Sequence, residues 1–166
     1  MKKFFDNQGL TLIEVLVSLV ILMIIFTGLM QFFSNAYSYT KSSQNKTAGI
    51  NVARNALTFM EKQSFIEMHE TFVTNDKTLY LYICTSGANA EKEYTYVETP
   101  TPPLGCEDIS VNNVPFTVQL SHSQSNNFKD RYMIPIEVIV EWKRNNQVLS
   151  TEMRGAVVSE DIRETY

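Results

Sequence analysis

The chain has 166 residues, a formal net charge of −4 and 44% hydrophobic residues. That length suits one modest domain plus an appended segment. The acidic balance argues against a general affinity for nucleic acid or anionic lipid, and no run of basic residues with interleaved aromatics occurs anywhere.

The first nine residues, Met1 to Gly9, form a short leader carrying Lys2 and Lys3. After Gly9 almost every residue from Leu10 to Phe33 is apolar, and no charged side chain occurs from Val15 to Thr40. At about 1.5 Å rise per residue, a helix of that length spans a hydrocarbon core of about 30 Å. A secretory signal peptide would carry a shorter apolar region, of about 7–15 residues, ending in a small-residue cleavage site. Here the small residue lies before the run, so a cut at Gly9 would leave the helix on the mature protein. Such a cut would also leave the chain one unit more negative. The two lysines favour an N-terminus held in the cytoplasm and a C-terminal part facing outward.

Glu14 is the one charge inside the run. A carboxylate there is unfavourable toward the bilayer centre and less so near the interface. Two readings are open: an interfacial Glu that reaches water, or a charge held for a group in another chain, such as an α-amino group freed by cleavage after Gly9.

The stretch Gly9-Leu10-Thr11-Leu12-Ile13-Glu14-Val15-Leu16-Val17 closely resembles the processing and methylation signature of the type IV pilin and pseudopilin superfamily. The resemblance covers roughly the first 25 residues. It implies a prepilin peptidase cutting after Gly9, methylation of Leu10 as the new N-terminus (typically Phe in the family, here Leu), and Glu14 as the assembly carboxylate. It also implies a helix that first anchors the subunit in the membrane and then packs in a filament core.

Beyond the apolar run, Gln31 to about Met68 contains no proline and only Gly49, so helix is expected to continue. Ala53, Ala56, Leu57 and Met60 fall at three- and four-residue spacing, flanked by Phe59 and Ile66. This amphipathic half is expected to pack against a following sheet. Gly28 could loosen the helix or allow close helix packing in lipid. Thr71, Thr74, Asn75 and Asp76 should end the helix.

Strand signals follow. Thr78 to Cys84 is short, aromatic and β-branched; Ser86 to Asn89 predicts a turn, and Tyr94 to Val97 a second strand. Thr99 to Gly105 holds three prolines, which remove ladder donors, so it is expected as an exposed loop. Val114 to Leu120 resumes strand character before the polar stretch His122 to Lys129. From Tyr132 to Lys143 the residues alternate, with Tyr132, Ile134, Ile136, Val138, Val140 and Trp142 predicted to face the core. Asn145-Asn146 then predicts a hairpin into Val148 to Val158, and Ser159 to Tyr166 a frayed charged tail.

The predicted fold class is α+β: a long N-terminal helix, half membrane-spanning and half amphipathic, packed on a small antiparallel sheet. The predicted organisation is a leader at 1–9, a membrane or filament-core helix at 10–33, its amphipathic continuation at 34–70, and an extracytoplasmic β-rich domain at 71–166.

Cys84 and Cys106 fall in the part expected outside the membrane, where a disulfide between them is favoured over two free thiols or a zinc site. It would close a loop of roughly 20 residues and tie down the proline-rich segment, worth about 3 kcal/mol. The histidines His69 and His122 are isolated, no phosphate loop or nucleophile elbow occurs, and Glu107-Asp108 alone suggests a solvated turn rather than a calcium site. No cofactor, metal or catalytic residue is predicted.

Three functions compete. The leading one is a structural subunit, a minor pilin or pseudopilin of a type IV pilus, a type II secretion system or a competence pseudopilus. Its partners would be other pilin subunits, the prepilin peptidase and the cytoplasmic membrane. The second is a binding subunit on the same scaffold, for DNA uptake, adhesion or cargo, using the loop near Pro100–Cys106. The third is a single-pass anchored binding protein or enzyme, which the position of Glu14 after Gly9 argues against.

Overall fold

The computed structural model describes residues 11–86, 91–123 and 132–159. The cut at Gly9 and the new terminus Leu10 lie outside the described residues. So do most of the expected turn at Ser86–Asn89, most of the polar stretch to Lys129, and the tail beyond Ser159.

By contacts the chain divides into two compact units, Met1–Ser43 and Gln44–Tyr166. Helix α1 runs Leu12–Met60 and contributes to both. In the first unit, every described side chain up to Lys41 is exposed. Continuous helix is what such a sequence requires in an apolar medium, because each backbone N–H and C=O then finds its partner within the segment.

In the second unit, α1 turns one face to a sheet and buries Gly49, Val52, Ala53, Ala56 and Met60. The small residues bring the helix axis close. A Cβ built on Gly49 would lie 2.9 Å from the Trp142 ring, and one built on Gly155 in the sheet would lie 2.5 Å from Leu57. Leu57 therefore seats in a notch that any larger residue at 155 would fill.

The helix ends earlier than its composition predicts. Lys62 and Gln63 donate to the carbonyls of Phe59 and Met60, tightening the last turn, and the Gln63 side chain caps the Phe59 carbonyl at 3.0 Å. After Ser64, in extended conformation, the short helix α2 (Phe65–Met68) leads into a π-helical turn, His69–Thr74. This redirection buries Met68 and Phe72 and leaves Ile66, expected beside the helical stripe, 79% exposed.

The sheet comprises β1 (Leu79–Ser86), β2 (Glu91–Val97), β3 (Cys106–Glu107), β4 (Ile109–Val111), β5 (Val114–His122), β6 (Met133–Arg144) and β7 (Gln147–Val158). Its order is β2-β1-β5-β6-β7, all antiparallel, with β3 on β1 and β4 on β5. The fold is α+β, with the second half of α1 packed on this sheet.

The alternation along β6 places Ile134, Ile136, Val138, Val140 and Trp142 in the core as the pattern requires, while Tyr132, ahead of the strand, is exposed. Pro135 is tolerated because it sits where the ladder with β5 ends, its carbonyl accepting from Ser123. Two hairpins turn on paired asparagines, Asn112–Asn113 and Asn145–Asn146, all four with positive φ. That is the type I′ geometry, whose twist matches the flanking strands.

On the face away from α1, Tyr82 is also buried. Strands β2 and β3 lie on opposite edges of β1, so the proline-rich segment between them must cross β1 on the way. The Tyr82 hydroxyl donates to the Thr99 carbonyl at 3.2 Å, and Cys84 and Cys106, facing partners on β1 and β3, are joined by a disulfide. The loop is therefore a strap over Tyr82, with Leu104 fully exposed on it.

Candidate functional site

The residues that carry chemistry in the first unit lie on the apolar part of α1. From Leu12 to Phe33 it shows Leu, Ile, Val, Met and Phe on every face, with none of them buried. The helix is long and apolar enough to cross a membrane.

Three hydroxyl side chains in and just beyond this stretch bond the helix's own backbone. Ser18 donates to the Val15 carbonyl at 2.9 Å, Thr27 to Met23 at 2.8 Å and Thr40 to Ala36 at 3.0 Å. Each hydroxyl thereby removes its own proton from an apolar environment that offers no other acceptor. The signal was present in the sequence, since Ser and Thr inside an apolar helix reach the carbonyl three or four residues back.

Glu14 lies in the first turn of α1, where the helix dipole favours a negative charge. Among the described residues, no donor or cation bonds its carboxylate. It is the one charged side chain between Leu12 and Thr40, and it stands beside hydroxyls that bond their own backbone. Tyr37 and Tyr39 follow at the end of the run, both well exposed, just before Lys41, the first charge after Glu14. An apolar ring with a polar tip suits the boundary between hydrocarbon and water.

In the second unit, the residues considered as ligands occupy separate surroundings. Glu107 is paired with Lys92 at 2.6 Å. Asp108 lines a small cleft on the outer face of the sheet with Thr117, Glu141 and Lys143, and burial raises its carboxyl above the ordinary range. His69 packs beside Phe65, ring centroids 5.9 Å apart, and His122 ends β5. Among the described residues, no group of three or more His, Cys, Asp or Glu side chains is placed to hold a metal ion.

The Tyr96 hydroxyl donates to Glu67 at 2.7 Å, tying β2 to α2. Burial, then the bond to Glu67 and its charge, push the Tyr96 phenol up to about 12. Phe59 packs against both Tyr94 and Tyr96.

Comparison with known proteins bears on the first unit. The prokaryotic N-terminal methylation motif matches residues 5–30. That stretch carries the type IV pilin and pseudopilin signature. The long apolar helix observed from Leu12 fits it, and over that stretch the chain is similar to type IV pilins and pseudopilins. No curated protein and no solved structure matches the chain. The signature covers none of the sheet, so the second unit stands on its own geometry.

Proposed function

We propose that the protein is a minor pilin or pseudopilin: a structural subunit of a type IV pilus, type II secretion pseudopilus or competence pseudopilus. On this reading residues 1–9 are a leader removed by a prepilin peptidase after Gly9, and Leu10 becomes the methylated N-terminus. Residues 10–33 first hold the subunit in the cytoplasmic membrane with its N-terminus inside. Residues 34–70 continue the anchor toward the outside, and residues 71–166 form the outward domain.

The observation that carries the reading is the helix from Leu12 to Phe33, apolar on all faces, with its hydroxyls bonded to its own backbone and one carboxylate left over. Such a surface is stable in lipid and equally stable among identical helices, so it can pass from one to the other with little change in solvation. The move needs a pairing that specifies position. Glu14 supplies it by facing the α-amino group of a neighbour, where low dielectric strengthens the attraction and penalises any register that leaves the charge alone.

The test is incorporation of Glu14→Gln into surface filaments, measured in the sheared fraction beside the membrane fraction. The expected result is a chain still cleaved after Gly9 and present in the membrane but missing from filaments. Normal incorporation of Glu14→Gln would contradict the role given to the carboxylate.

A further inference from the structure

Among the described residues, no strand pairs with the outer edge of β7. This edge is 12 residues long, Gln147–Val158. Unpaired strand edges present rows of N–H and C=O groups that template another strand unless something blunts them. Here the hairpin fixes which groups those are. With a two-residue turn at Asn145–Asn146, Arg144 and Gln147 are a hydrogen-bonded pair, so the odd residues of β7 spend their backbone groups on β6. Ser159, the next odd residue, does the same, its N–H donating to the Tyr132 carbonyl at 2.9 Å. The even residues from Val148 to Val158 therefore point their N–H and C=O outward.

Those even residues are complementary to their own reversed order. About a two-fold axis through Met153, Val148 meets the partner's Val158, Ser150 meets the partner's Ala156, and Glu152 meets the partner's Arg154. All six are even, so every facing pair falls on outward-pointing backbone and can exchange two hydrogen bonds. Val148 and Val158 are 57% and 52% exposed, apolar at both ends of the edge.

The charges select the register. Moving the axis by one residue places Glu152 opposite the partner's Glu152, or Arg154 opposite the partner's Arg154, and directly opposed like charges destabilise a strand pair. Arg154 already donates to Glu137 at 2.7 Å and to Glu152 at 3.3 Å. A guanidinium has five N–H donors, so capacity remains for a partner's carboxylate.

We infer that the β7 edge is a self-complementary interface through which two copies of this chain pair as antiparallel strands centred on Met153, continuing the sheet from one subunit into the next. The contact is independent of cleavage at Gly9 and of the helix-mediated assembly proposed above.

The test uses the full-length chain in mild detergent, carrying two different affinity tags, with Glu152→Lys and Arg154→Glu as single variants. Each variant paired with itself opposes like charges at both positions. Mixing the two restores both attractive pairs. The lysine introduced at position 152 meets the glutamate introduced at position 154, and the unaltered Arg154 of one chain meets the unaltered Glu152 of the other. We expect co-purification of wild type with wild type, a loss of about tenfold in affinity for each variant with itself, and recovery in the mixture. Recovery in the mixture cannot come from damage to the fold, because each partner is the same damaged chain as in its own failed pairing. Equal co-purification in all four combinations would place the contact elsewhere and overturn the inference. So would co-purification in none.

Discussion

Between Leu12 and Phe33, helix α1 shows apolar side chains in every direction and buries none of them. Between Gln44 and Met60 the same helix buries one face, and that face is built mainly from small residues, Gly49, Ala53 and Ala56, with Val52 and Met60. The first stretch has far more apolar surface, yet the second makes the core. What separates them is arrangement: a stripe directs a helix to one neighbour, whereas an all-round apolar surface fits an environment that is itself apolar on all sides. The small residues then set how near the neighbour comes, close enough that a Cβ at Gly49 would meet the Trp142 ring and one at Gly155 would meet Leu57.

The sharpest way to break this contrast is to put a charge where no face is buried. Ile21→Asp places a carboxylate mid-way along the apolar stretch, at about 3 kcal/mol against membrane insertion. Membrane fractionation should show the chain lost from the membrane, while the Cys84–Cys106 disulfide and the circular dichroism of the sheet persist.

Removing the disulfide should act on the second unit alone. The bridge joins residues 22 apart in sequence. The double change Cys84→Ser with Cys106→Ser should lower unfolding stability by about 3 kcal/mol, read by denaturant titration, and leave membrane retention unchanged.

Gly155→Ala should cost about 1–3 kcal/mol, because the added methyl meets the end of the Leu57 side chain, which must give way. The same substitution at Gly28, where an added Cβ meets nothing, should leave unfolding of the second unit unaffected.

The smallest effect is expected at Tyr96. Tyr96→Phe should lower stability by about 1 kcal/mol at neutral pH, through loss of its bond to Glu67. Because the folded phenol is raised from 10.0 to about 12, its contribution is fully present below pH 10 and disappears as pH rises through about 12. The variant should lose that part of the alkaline decline in melting temperature.

Much of this was legible in the residues. The alternation from Ile134 to Trp142, the asparagine pair at 145–146 and the proline-rich loop each carry a local cause, so strand, hairpin and break follow without knowledge of the fold. The apolar run and Glu14 were legible for the same reason. Other features depend on distant partners. Nothing in Glu61-Lys62-Gln63-Ser64 stops a helix by propensity; the turn there is dictated by the placement of Phe65, Met68 and Phe72 in the core. Strands β3 and β4 have two and three residues, too short to show a period. Tyr82 is buried on the outer face because a strap crosses it, and that crossing is a property of strand order. The symmetry of the β7 edge was visible as letters, but its meaning required knowing which residues point outward.

The central claim is that the apolar part of α1 is kept on the mature chain as a filament-forming helix, and it is tested most directly by intact and N-terminal mass spectrometry of the protein from its native membrane. The account predicts a chain beginning at Leu10 and carrying one added methyl group. A chain still beginning at Met1, with the peptidase present, would contradict it and leave the helix as an anchor alone.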